Sequence, residues 1–124
     1  MKVLLVEDSL ELSDLISESL KEKGFKCVTR TSSLGALEFL EKHKTDVLIT
    51  DLHLPHMSGE ELSQIVKAKY RIPTILTSGD YAINDSKNFD GFILKPFDVD
   101  ELVEMIDLVT VARKNESSRP QSMR

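Results

Sequence analysis

The chain has 124 residues, 40% of them hydrophobic and 30% charged, with a net charge of −5. That length carries one domain with a proper core, and its apolar stretches are far too short for a membrane span. The acidic balance argues against nucleic-acid binding by the chain alone, since such domains carry basic faces that neutralise phosphates. No secretory signal is read before the first apolar run, and the single cysteine, Cys27, cannot form an internal disulfide, so a reducing, cytoplasmic setting is expected.

Strand-like and helix-like patterns alternate along the chain. Residues 2–6 read as a buried strand. Residues 9–23 read as a helix with Leu12, Leu15, Ile16, Ser19 and Leu20 on one stripe, stopped by Gly24. Phe25 to Thr29 is the second strand. Ser32 or Ser33 caps the next helix, whose inward residues are Leu34, Leu37, Phe39 and Leu40. The third strand is 46–50. The loop from His53 to Gly59 contains Pro55 and leads into a helix over Glu60–Tyr70, with Leu62, Ile65, Val66 and Tyr70 inward. Residues 73–77 and 91–94 are the fourth and fifth strands. Asp98 caps the last helix, with Glu101 three residues on, and Val99, Leu102, Val103, Ile106, Val109 and Val111 form its inner face. The apolar period ends at Ala112. The expected domain covers residues 1–114, and residues 115–124 are expected to be a polar, disordered tail.

Five strands alternating with helices predict a parallel sheet covered on both faces. Ligands of such a sheet bind outside the carboxyl ends of the strands. Glu7 and Asp8 follow the first apolar run, Asp51 closes the third, Thr77 and Ser78 close the fourth, and Lys95 follows the fifth. Three carboxylates, a hydroxyl and an ammonium are therefore aimed at one pocket, a set suited to a divalent cation and a phosphoryl group.

These residues resemble the receiver domain of two-component response regulators. The resemblance covers about residues 2–112 and rests on Glu7-Asp8, on Asp51 followed by Pro55 and Ser58-Gly59, on Thr77-Ser78-Gly79, and on Phe92 through Lys95-Pro96-Phe97. It implies a flavodoxin-like (βα)5 fold, a doubly wound five-stranded parallel sheet of order 2-1-3-4-5. It also implies that Asp51 accepts a phosphoryl group from a sensor histidine kinase or a histidine phosphotransfer protein. On the same basis Asp8 and Asp51 would ligate Mg²⁺ through their carboxylates and His53 through its backbone carbonyl, while Glu7 would hold metal-bound water. Lys95 would pair with the phosphate, Ser78 would donate its hydroxyl, Phe92 matches an aromatic switch position, and the Lys95–Pro96 bond resembles one that is cis in the family.

The interval between Ser78 and Lys95 is shorter than in most family members, and Tyr81 to Lys87 lacks an apolar helical period. The fourth helix of the fold is therefore expected to be shortened or irregular. Dimerisation through that face is then disfavoured, and a monomer is expected, with the first and last helices as the active face. Output would come by binding an unidentified downstream protein or by passing the phosphoryl group onward. Two other readings compete. One is a pseudo-receiver scaffold for protein interaction that is not regulated by phosphorylation; the intact carboxylates and lysine argue against it. The other is an aspartyl-phosphate phosphatase of the haloacid dehalogenase type. That class wants a second acid two residues after its nucleophile, where this chain has His53, so a signalling module and not an enzyme is expected.

Overall fold

The structure, a computed structural model, describes residues 1–79 and 89–118, with side chains up to Ala112 in the last helix. Its strands are β1 (Lys2–Val6), β2 (Lys26–Arg30), β3 (Val47–Asp51), β4 (Thr74–Ser78) and β5 (Gly91–Leu94). The helices among the described residues are α1 (Leu10–Glu22), α2 (Ser33–Lys42), α3 (Gly59–Tyr70) and α4 (Val99–Ser118). All strand pairings are parallel, and the order is β2-β1-β3-β4-β5, as the resemblance implies. The expectation about a shortened fourth helix falls on residues 80–88, outside the described residues.

Strand side chains alternate between two cores, as the period of two requires. Val3 and Leu5 face a core built with Ile16 and Leu20 of α1 and Leu102, Ile106 and Val109 of α4. Leu4 and Val6 face the other, built with Ala36, Phe39 and Leu40 of α2 and Leu62 and Val66 of α3. Each helix opens with a short polar side chain that accepts a hydrogen bond from an otherwise unpaired N–H. Ser9, Ser32 and Ser58 receive Leu12, Gly35 and Glu61, and Asp98 receives Glu101. Gly24, at φ 95°, ends α1 in a left-handed conformation that glycine adopts without a Cβ penalty.

The apolar period placed four residues inward that the fold leaves out. Leu15 is 63% exposed, Leu34 59%, Ile65 36% and Val111 53%. On the first three helices, serines occupy inner positions instead. Ser13 and Ser17 lie on the buried face of α1, Ser33 on that of α2 and Ser63 on that of α3. Small side chains let a helix approach the sheet closely, and their hydroxyls find partners there. Ser33 Oγ donates to the Met57 carbonyl at 2.9 Å, and the Ser63 and Thr74 hydroxyls lie 2.7 Å apart. Val111 is exposed for another reason: among the residues of α4 whose side chains are described, Val109 and Thr110 are the last buried positions. The α4 backbone nonetheless stays helical to Ser118, past the end of its apolar period and into the segment expected to be a tail.

Candidate functional site at the strand ends

Glu7 follows β1 directly and is 2% exposed, Asp51 is the last residue of β3, and Ser78 is the last of β4. Lys95 follows β5, where its N–H donates to the Ser78 carbonyl at 2.8 Å. The register sets Asp51 beside Thr77 and Ser78 beside Leu94. Parallel pairing thus brings residues far apart in sequence to one sheet edge.

The Lys95 ammonium lies 2.9 Å from Glu7 Oε1 and 3.2 Å from Asp51 Oδ2. The other Asp51 oxygen, Oδ1, accepts the backbone N–H of His53 at 3.2 Å. One carboxylate oxygen from each of Glu7, Asp8 and Asp51 lies within 4.8 Å of the others, with Asp8 exposed and the other two buried. Burial pushes the Glu7 carboxyl above its usual range, outweighing the stabilising hydrogen bonds from Lys95 and the Ser9 N–H. For Lys95, burial works to lower the ammonium, but the Glu7 hydrogen bond and the Asp51 charge outweigh it and hold the group above its ordinary value. Among the described residues, one ammonium thus contacts two of the three clustered carboxylates, leaving an excess of negative charge on hard oxygens. This donor set fits Mg²⁺, which takes few protein carboxylates and keeps several waters.

Four predicted site residues, Glu7, Asp8, Asp51 and Lys95, are brought directly together. Ser78 is placed one residue past Thr77 on the neighbouring strand end and is 1% exposed. The His53 main chain lies beside Asp51 through its N–H, while its side chain is exposed. Phe92 is half-buried on β5, with its ring 6.1 Å from that of Phe89. The Lys95–Pro96 bond is cis.

Two supports were missed from sequence. The Thr50 hydroxyl donates to the Asp51 carbonyl at 3.0 Å. Gly59, whose N–H donates to Leu52 O at 2.8 Å, packs so closely that a Cβ there would overlap the Asp51 carbonyl oxygen. A glycine as the first residue of a helix was the available signal. Beside the site, α1 and the entry to α4 enclose a groove of about 630 Å³, lined by Leu12, Leu15, Ile16, Pro96, Phe97 and Leu102 among others, with Lys95 at its wall. No helix among the described residues is long and apolar enough to cross a membrane.

The chain is 32% identical over 111 residues to the heme response regulator HssR of Staphylococcus saprophyticus, spanning 86% of this chain and 50% of that protein. The corresponding protein of Staphylococcus epidermidis is 33% identical, with the same shares covered. The chain thus spans about half the length of these curated relatives. Among solved structures, the chemotaxis response regulator CheY4 of Vibrio cholerae superposes with a TM-score of 0.79 at 26% identity, covering 87% of this chain and 97% of that one. A receiver domain protein from Clostridium thermocellum, at 24% identity, shares the fold with a TM-score of 0.81, covering 91% and 96%. The family profile described as response regulator receiver domain matches residues 3–107. The chain belongs to the receiver domain family of response regulators.

Proposed function

We propose that this receiver domain accepts a phosphoryl group on Asp51 from a phosphohistidine of a sensor kinase or phosphotransfer protein in the cytoplasm. The observation that carries the reading is the Lys95 ammonium 3.2 Å from Asp51 Oδ2 beside two further carboxylates. An Asp51 oxygen attacks phosphorus, the O–P bond forms as the N–P bond breaks, and the departing imidazole nitrogen keeps the electron pair. Little covalent work falls to the protein in such a transfer, so its contribution is position and charge. The His53 N–H and Lys95 hold the two Asp51 oxygens in orientation.

Asp8 and Asp51, with the His53 carbonyl, are the residues that would hold Mg²⁺, and Glu7 would hold its water. The bound cation supplies charge neutralisation for the incoming phosphate. Phosphorylation adds nearly two negative charges. Lys95 is drawn toward them, Ser78 turns its hydroxyl to the phosphate, and half-buried Phe92 fills the space behind it, giving the two states that a partner distinguishes.

Incubation with Mg²⁺ and acetyl phosphate, followed by intact mass, tests the reading. One added phosphoryl group in the wild type and none in Asp51→Asn is the expected result. An unmodified wild type would turn the reading toward an interaction scaffold.

A further inference from the structure

The end of the sheet opposite Asp51 carries a cavity that phosphotransfer does not use. It lies between the close of α2 and the close of α3 and encloses about 530 Å³. Asp46 precedes β3 and Asp51 ends it, so a five-residue strand, about 16 Å long, separates the two places. Buried Leu40 and Ile72 give the cavity an apolar base, and exposed His43 and half-buried Tyr70 bring two rings to it. Concave, largely apolar sites of this size, with a few polar groups, are where small ligands bind.

Both rings are backed by cations. The His43 ring stacks on that of Phe39 at 4.6 Å and 19°. Phe39 in turn has the Lys2 ammonium and the Arg30 guanidinium each 5.0 Å from its ring centre. The Lys69 ammonium lies 5.4 Å from the centre of the Tyr70 ring, and Lys42 and Lys44 line the cavity itself. Among the described residues none of these five cations has a carboxylate within ion-pair distance, whereas Lys23, Lys67 and Lys95 are each paired. Only Glu41 and Asp46 stand against them in the cavity lining, and one Asp46 oxygen already accepts the Lys2 N–H at 2.7 Å. The chain is acidic in total, yet this corner is basic.

A second observation is independent of charge. Among the described residues, the Thr45 hydroxyl is the one buried side-chain polar group without a hydrogen-bond partner, and Thr45 lines this same cavity. Buried hydroxyls are ordinarily satisfied, and an orphan costs free energy until a partner arrives.

We propose that this cavity binds a free mononucleotide. The base lies against His43 and Tyr70, because every base offers a π-face to an aromatic side chain. The phosphate meets Lys42 and Lys44 at the rim. The carboxyl end of α2 disfavours an anion on its axis, which keeps the phosphate outward at these lysines. Thr45 turns about χ1 to bring its hydroxyl to the ribose, and the second Asp46 oxygen accepts from a ribose hydroxyl. A bare anion would use the lysines alone, so the two rings call for a ligand with a flat ring as well. The proposal does not depend on phosphotransfer.

The full chain, isotope-labelled for amide spectra, is titrated with AMP in EDTA. The expected result is saturation at one AMP per chain, a dissociation constant on the order of 10⁻⁴ M, and shifts gathered at residues 40–46 and 69–72. Adenosine and inorganic phosphate, each carrying part of the chemistry, should bind at least about tenfold more weakly. Thr45→Val keeps the side-chain shape without the hydroxyl and should weaken AMP binding by about tenfold. Lys42→Glu/Lys44→Glu changes only exposed side chains, so the amide spectrum should report the same fold while AMP binding is lost. No saturable shift at millimolar AMP, shifts confined to the Asp51 end, or phosphate binding as tightly as AMP would each overturn the proposal. So would an AMP affinity unchanged in both variants. Binding of single-stranded RNA without binding of AMP would also overturn it and assign the corner to nucleic acid.

Discussion

Lys95→Met removes the ammonium at the centre of the site and keeps the aliphatic stem. The nitrogen lies 2.9 Å from Glu7 Oε1 and 3.2 Å from Asp51 Oδ2. At an effective dielectric constant of about 20 these separations correspond to attractions of about 6 and about 5 kcal/mol. Desolvation of the three groups cancels most of that sum. Breaking a fully buried pair costs roughly 3–5 kcal/mol, and here the lysine side chain is 24% exposed, so a loss of about 2–3 kcal/mol is expected. Glu7 sets a further limit, because a carboxyl already raised by burial takes up a proton once its cation is gone. The loss should therefore shrink as pH falls. Urea denaturation in EDTA at neutral pH measures it, and millimolar magnesium should restore part, since binding to the folded state alone adds stability. A loss below about 0.5 kcal/mol in EDTA, the range of an ordinary surface substitution, would refute the claim that Lys95 holds these carboxylates together.

Gly59→Ala should destabilise by about 1–3 kcal/mol and lower acetyl phosphate labelling, because the new methyl must displace the Asp51 carbonyl; urea midpoints and intact mass check both. Ile16→Ala should cost about 2–5 kcal/mol while Leu15→Ala stays within about 0.5 kcal/mol, a difference that a common denaturation assay resolves. The raised Glu7 pKa means that the folded chain holds this proton more tightly than the unfolded chain. Glu7 thus favours folding below its unfolded pKa near 4.5, and that contribution is lost as pH rises through the folded value; in EDTA, Glu7→Gln should gain on the wild type over this rise. Burial raises the Cys27 thiol, so iodoacetamide should modify it more slowly than free glutathione at pH 8, with the difference gone in denaturing urea.

The order of elements and the set of residues gathered at the strand ends were legible in the chain because both depend on local pattern. A buried parallel strand needs a short apolar run, and the residue closing it must stand at the sheet edge, so Glu7, Asp51, Ser78 and Lys95 announced their place. Two helix starts were equally local: Ser32 or Ser33 and Asp98 read as caps, and Ser32 and Asp98 accept N–H groups three residues on, while the caps Ser9 and Ser58 were not read. What escaped was the rotation of each helix about its axis. Hydropathy favours leucine over serine inside, yet Ser13, Ser17, Ser33 and Ser63 take inner positions and Leu15 and Leu34 turn outward. The gain from burying a leucine yields there to close helix-sheet approach and to hydroxyl partners that only the assembled fold supplies.

The sequence by itself determined which residues reach the strand ends and what charge they carry, because strand period and chain order are one-dimensional properties. The tertiary structure alone decided that Lys95 contacts Glu7 and Asp51 at once, that Gly59 must lack a side chain against the Asp51 carbonyl, and that Leu15 faces Phe97 across an open groove. Each of these depends on separations of a few ångströms between segments distant in sequence, and such separations are set only when both cores are packed.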